Sequence, residues 1–185
     1  MAAVGRKRTQ FLRGGINLIE ECSMFRIGIG HDTHRLVEGR LLIIGGVTIE
    51  AERGADGHSD ADALVHAIAD AILGAMGDGD IGMHFPDRDS QWKNIDSLQL
   101  LARVMWLVRE RGMRVVNVDS NILLERPKLR PHIQTMRENL ANVIGIEAAL
   151  ISIKAKTGEG MDAVGMGDAI TAQAVVLMEQ GVKSI

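Results

Sequence analysis

Two stretches of this 185-residue chain hold residues whose types and spacing suit metal chemistry. The first is Arg26-Ile27-Gly28-Ile29-Gly30-His31-Asp32-Thr33-His34, and the second is His58-Ser59-Asp60-Ala61-Asp62-Ala63-Leu64-Val65-His66. Asp32 and His34 lie two residues apart, so in extended backbone, where side chains alternate, both project to one side. His66 falls on a segment with helical periodicity. A carboxylate and two imidazoles can therefore converge from separate elements and leave a fourth position open, as catalytic zinc sites do. Each half alone is weak. Asp32 could cap a turn, and Asp62, His66 and Asp70, at i, i+4 and i+8, could form a solvated stripe opposite Leu64, Ile68, Ala71 and Ile72. The combination carries the reading.

Two further segments can hold ligands. Gly77 to Asp89 is rich in glycine and acid around Phe85-Pro86, which suits sugar hydroxyls or a divalent cation, or else a hydrophilic connector. Lys154 to Glu159 follows a strand-like run and resembles a phosphate cradle: Thr157 and backbone N–H groups can donate to oxygens, and Glu159 can hold magnesium. Its plainer reading is a strand end turning at glycine. His31 and His132 read as packed or capping residues, and His84 is undecided. Gly28 and Gly30 make no dinucleotide fingerprint, because no third glycine opens a helix at the required spacing. No Gly-x-Ser-x-Gly elbow is present and Cys22 has no partner, so covalent nucleophilic catalysis has no candidate.

The elements that must position these residues follow from periodicity. Strands are expected at Phe25 to Gly30, Leu41 to Ile49 (broken at Gly45-Gly46), Val115 to Leu124 and Leu150 to Ala155, the first two as a hairpin. A helix is expected over Asp60 to Ala75, with Ser59 as N-cap and Asp62 in the first turn. A second turns Leu98, Leu101, Met105 and Val108 inward and stops at Gly112. A third uses Ile133, Met136, Leu140 and Val143 before Gly145, and a fourth covers about Asp168 to Gln180, closed by Gly181. Interleaved strands and helices predict an α/β (α+β layered) fold, a single sheet of about four main strands with helices packed on one side. Whether the sheet is parallel or mixed is not legible.

Hydrophobic residues at 46%, charged residues at 24% and a net charge of -3 are those of an ordinary globular protein and give no electrostatic case for nucleic acid or membrane. One cysteine rules out an internal disulfide framework and fits a reducing compartment, hence a cytoplasmic location. Residues 1–23 carry a basic cluster without the apolar core of a secretory signal, and they read as an extension, disordered or not native. Residues 24–185 then form a single catalytic domain, long enough to build its own core without metal.

Taken in order, Gly30-His-Asp-Thr-His34, Ile44-Gly-Gly-Val47, Gly57-His-Ser-Asp-Ala-Asp-Ala-Leu-Val-His-Ala67, Gly79-Asp-Ile-Gly82, Phe85-Pro-Asp87, Pro127-Lys128 and Lys154-Ala155 resemble the 2-C-methyl-D-erythritol 2,4-cyclodiphosphate synthase family of the non-mevalonate isoprenoid pathway. The resemblance implies a homotrimer with active sites between subunits. It implies conversion of 4-diphosphocytidyl-2-C-methyl-D-erythritol 2-phosphate to 2-C-methyl-D-erythritol 2,4-cyclodiphosphate with release of CMP. By this resemblance Asp32, His34 and His66 bind zinc, with Thr33, His58 and Ser59 beside the substrate. Asp80, Ile81 and Gly82, with Phe85, Pro86, Asp87, Arg88 and Asp89, line the sugar-alcohol and ribose region. Leu124, Glu125, Arg126, Pro127, Lys128, Leu129 and Arg130, together with Ala155, Lys156 and Thr157, form the cytidine pocket, contributed by the adjacent chain, and Gly158 also binds substrate. Glu159 holds magnesium or manganese, and His58 and Thr157 stabilise the transition state.

The chain departs from the family late. Ala163 and Met166 replace an aromatic and a basic residue associated with the trimer's central cavity, and an uncharged Met cannot neutralise phosphate. Two other readings stay open: a metal-binding scaffold without activity, and a zinc-dependent phosphodiesterase in which water attacks.

Overall fold

Strand β1 (Met24–Glu38) carries opposite chemistry on its two faces. Its inward positions Gly28 and Gly30 are buried, while Ile27 and Ile29 are 72% and 74% exposed. Glycine faces inward because helix α1 (Ala63–Met76) lies directly on the strand: a Cβ at Gly28 would stand 1.8 Å from the Ala71 carbonyl oxygen. Only a residue without a side chain admits backbone that close. The computed structural model describes residues 23–181 apart from positions 87, 93 and 94. The expected extension therefore lies, save for Ser23, outside the described residues.

Five strands form the main sheet in the order β4-β1-β7-β5-β6, with β4 at Arg53–Ala55, β5 at Met113–Leu123, β6 at Ile151–Lys156 and β7 at Ala169–Gln180. Every pairing is antiparallel except β5 with β6. A separate hairpin joins β2 (Leu42–Ile44) to β3 (Val47–Ile49) through Gly45-Gly46, both at positive φ (58° and 69°), which is what a two-residue hairpin turn demands. Helices α1, α3 (Ser97–Glu110) and α4 (Ile133–Ile144) cover one face, and short helices α2 (Ile81–His84) and α5 (Asp162–Gly165) interrupt loops. Among the described residues no helix is long and apolar enough to cross a membrane.

The core forms between the sheet and α1. Leu64, Ile68, Ile72 and Leu73 are fully buried against inward-facing Ile122, Ile170, Val176 and Met178. Each such side chain contributes about 1.5–3 kcal/mol when removed from water. The expected α/β layering with helices on one side holds, as do the strands at β5 and β6 and the helices at α3 and α4.

Three expectations fail. The segment from Asp168 to Gln180 is not a helix but the second-longest strand, placed between β1 and β5. Its buried positions alternate (Ile170, Ala172, Ala174, Val176, Met178), and the sheet's central slot overrides the helical preference of its alanines. Nor does β1 form a hairpin with residues 41–49, which pair with themselves. Finally, α1 begins one turn later than expected, with Asp62 and not Ser59 as N-cap, its side chain accepting from Val65 N at 3.1 Å.

Candidate metal centre

Past the glycines, the inward face of β1 continues with Asp32 and His34, beyond the N-terminal end of α1. There the side chains reach His66, in the first turn of that helix. Asp32 Oδ2 stands 2.9 Å from His34 Nε2 and 2.9 Å from His66 Nδ1, and the two imidazole nitrogens are 3.3 Å apart. All three residues are partly buried. Among the described residues this is the one cluster of three or more His, Cys, Asp or Glu able to hold a metal ion.

The surroundings aim these atoms inward. His34 Nδ1 lies 2.8 Å from the Asp56 carbonyl oxygen, which can only accept, so in the neutral ring Nδ1 carries the proton and Nε2 offers its lone pair to the centre. His66 turns Nε2 outward to Ser97 Oγ at 2.9 Å and Ser59 Oγ at 3.2 Å, leaving Nδ1 to face Asp32. Three electron-pair donors thus crowd one point, an arrangement that a shared cation relieves. Without a metal a ring proton can meet this need instead: burial works against ionising Asp32, yet hydrogen bonds that N–H groups of His34 and His66 donate to it outweigh burial and hold the carboxyl well below the usual range. For His34, burial again opposes charge, and the Asp32 carboxylate overcomes it and raises the imidazole above its ordinary value. The donor set, a carboxylate and two imidazoles, fits a divalent metal with an open fourth position.

Residues 25–179 match the family model of the YgbB family. The chain belongs to the YgbB family. A 2-C-methyl-D-erythritol 2,4-cyclodiphosphate synthase of Syntrophomonas wolfei is 54% identical over 155 residues, covering 84% of this chain and 99% of that one. A solved structure of a synthase of that name in a CDP-bound form is 41% identical with a TM-score of 0.77, over 83% of this chain and 99% of the other. The bifunctional IspDF from Campylobacter jejuni superposes with a TM-score of 0.82 at 35% identity, over 85% of this YgbB chain and 43% of the longer protein.

Among the other expected site residues of this YgbB protein, His58 lies in the loop between β4 and α1, and its Nε2 is buried with no hydrogen-bond partner among the described residues. Arg40 holds that loop by donating to the carbonyls of Ala55 (3.3 Å), Gly57 (3.0 Å) and Ser59 (3.2 Å). Thr33 projects to the opposite face of the sheet, where its hydroxyl meets Thr171 at 3.1 Å. Asp80 caps α2 through Met83 N at 2.9 Å, and Ile81 N donates to Asp70 at 2.7 Å, tying the expected sugar-binding loop to α1. Phe85 is buried edge-on against Trp92, with ring centroids 5.1 Å apart, and Arg103 stacks over the same Trp92. Arg88 is exposed, Asp89 caps the turn at Gln91, and Asp87 lies outside the described residues.

The expected phosphate cradle lies at the end of β6. Lys154 is engaged by Asp119, at 2.5 and 2.6 Å, on the open face of the sheet, and Gly158 N donates to Glu125 at 3.0 Å. Thr157 Oγ1 donates to Glu159 at 2.5 Å. Leu124 and Leu129 are core residues, each 3% exposed, so in that segment their side chains do not face a ligand. Asp32, Ala172, Ile122 and Ala155 are successive register neighbours. Three strand spacings, about 14 Å, thus separate β1 from β6, and within one protomer the Thr157–Glu159 loop starts three strands from the triad.

Asp62 is not the solvated residue of a polar stripe. It is fully buried, accepts from Gly46 N at 2.7 Å, and burial pushes its carboxyl up to about 6. His31 is exposed, not packed, and His132 sits at the N-cap of α4 without a capping bond. His84 meets the Asp78 carbonyl at 3.1 Å. Sequence reasoning missed Arg40 and Ser97, and it gave Asp60 and Asp70 no part in holding the site. Ser97 lies just after Asp96, the N-cap of α3, where capping chemistry masks any other role.

Proposed function

We propose that the chain is a lyase of non-mevalonate isoprenoid precursor biosynthesis that converts 4-diphosphocytidyl-2-C-methyl-D-erythritol 2-phosphate to 2-C-methyl-D-erythritol 2,4-cyclodiphosphate and CMP. The convergence of Asp32, His34 and His66 in a YgbB chain carries this reading. Asp32 Oδ2, His34 Nε2 and His66 Nδ1 would hold zinc, which when bound supplies Lewis-acid polarisation of a phosphoryl oxygen. Glu159 would hold magnesium or manganese, for which a carboxylate is the suitable hard ligand.

The substrate supplies its own nucleophile. An oxygen of the 2-phosphate forms a bond to the β-phosphorus of the diphosphate while the bond from that phosphorus to the bridging oxygen breaks, and the electron pair leaves on CMP. The protein's work is to fold the chain, keep attacking and leaving oxygens in line and offset charge. This reading needs no protein nucleophile. His58, whose buried Nε2 lacks a protein partner, would meet a phosphate oxygen, and the Thr157 hydroxyl would stabilise charge on the transferred group. The loops at Asp80–Gly82 and Phe85–Asp89 would hold the sugar alcohol and ribose, and those at Leu124–Arg130 and Ala155–Thr157 the cytidine.

We place these two halves in neighbouring subunits of a homotrimer. The separation of β1 from β6 supports a shared site, and so does the open sheet face, where Ile27, Ile29 and Val175 (44% exposed) leave apolar surface for a second copy. Residues 24–185 form the catalytic domain, and the single cysteine supports a cytoplasmic enzyme. Incubation with the cytidylated substrate, followed by phosphorus NMR, tests the reading. The cyclic diphosphate and CMP are expected. A linear product would indicate attack by water, and no turnover a scaffold.

A further inference from the structure

The triad works as a metal site only if His66 presents a lone pair from Nδ1, and nothing in the three ligands themselves enforces that tautomer. We propose that Ser97 and Asp60 are positioning residues that fix it, an inference that rests on reading Asp32, His34 and His66 as the zinc site. Ser97 opens α3 and is fully buried, and Asp60 stands in the loop before α1. The Asp60 carboxylate accepts twice from Ser97: from its N–H at 3.0 Å and from its hydroxyl in a short bond.

The tautomer follows from donor and acceptor accounting. A carboxylate only accepts, so the Ser97 hydroxyl proton is committed to Asp60 and Oγ turns lone pairs alone toward His66 Nε2, 2.9 Å away. Ser97 thus asks Nε2 to donate, against the pull of the Asp32 carboxylate on Nδ1 at 2.9 Å, and in the neutral ring that leaves the Nδ1 electron pair for the metal. Ser59 Oγ also approaches Nε2, at 3.2 Å, but its other contact is the Ala61 N–H, a donor, so it has no acceptor to commit its proton and cannot set the tautomer alone. The pair also joins two elements, since Asp60 N donates to the Ile95 carbonyl at 3.2 Å and α3 is thereby latched to the loop that leads into the ligand helix.

Zinc affinity of the metal-free full chain, measured by chelator competition, is one readout, and the position of the His66 ring proton, read by nitrogen NMR on the same metal-free protein at alkaline pH, is the other. Ser97→Ala is expected to weaken zinc binding about 10- to 100-fold and to move or delocalise the ring proton, while Ser97→Thr, which keeps the hydroxyl, recovers most of both. Asp60→Ala should lose as much as Ser97→Ala, and the double variant no more than either, because both act through one nitrogen. Additive losses would overturn the inference. So would a wild-type proton on Nδ1, an unchanged Ser97→Ala, or a loss in Ser59→Ala instead. The wild-type ring-proton measurement needs no variant to fold. If the wild type bound no zinc, the metal reading would fail while that measurement still decided the role of Ser97.

Discussion

Gly30 and Ala67 meet backbone to backbone: a Cβ on Gly30 would stand 2.0 Å from the Ala67 carbonyl oxygen and 2.7 Å from the nitrogen of Ala71. Ala67 directly follows His66, and Gly30 lies two residues before Asp32, so this contact sets how closely the ligand helix approaches the ligand strand. Gly30→Ala must push α1 away. We expect a stability loss of about 1–3 kcal/mol, as for other overpacked sites, together with weaker zinc binding. Urea unfolding and a zinc titration check it; native affinity in a stable variant would show that the contact does not govern the site.

The wild-type protein should bind about one zinc per chain, and His34→Ala and His66→Ala should each lose it, because two remaining protein ligands are too few for tight binding. Metal analysis after dialysis decides this, and full retention in both variants would remove the triad. Chelation should leave the fold intact. The core between α1 and the sheet does not involve the metal, whereas zinc at about a hundredfold its dissociation constant adds only about 2.7 kcal/mol. A circular dichroism melt of the chelated protein should shift down without loss of cooperativity.

The two halves of the site were unequally legible. Asp32 and His34 declared themselves because strand alternation puts both on one side, and His66 because it lies within a helical run. The glycines that dock that helix are silent in sequence: Ile27 and Ile29 suggest an inward apolar face, yet they point outward and the glycines inward. Residues 168–180 misled for a related reason. Alanines at 169, 172 and 174 satisfy a helical pattern as well as an alternating one, and only the slot between β1 and β5 decides. Arg40 and Ser97 bond across chain separations that no local pattern records.

Arg40 spans three carbonyls around His58, a geometry that a planar guanidinium suits and a single ammonium does not. Arg40→Lys should therefore lower stability by about 1.5–3 kcal/mol through lost charge-assisted bonds and reduce turnover, with zinc content unchanged. Comparing urea midpoints, metal content and steady-state rates separates loop disorder from metal loss. A drop in zinc alone would assign Arg40 to the triad instead.

Glu159 sits at a backbone φ of 52° and takes the Thr157 hydroxyl at 2.5 Å, while the neighbouring Gly158 N–H is held by Glu125. The loop thus comes with its carboxylate exposed and tied to Thr157, three strands from the triad within one protomer. Replacing that carboxylate by an amide removes the charge a magnesium ion needs but keeps an oxygen that can still meet Thr157. Glu159→Gln is expected to cut turnover, to raise the magnesium concentration required for half-maximal rate, and to recover part of its activity with excess manganese. Bound zinc should stay at the wild-type level, since Asp32, His34 and His66 are untouched. Magnesium titrations of the rate, run beside zinc analysis of the same samples, check both halves. Wild-type turnover with unchanged magnesium dependence would remove Glu159 from the catalytic machinery and leave its bond to Thr157 as its only role.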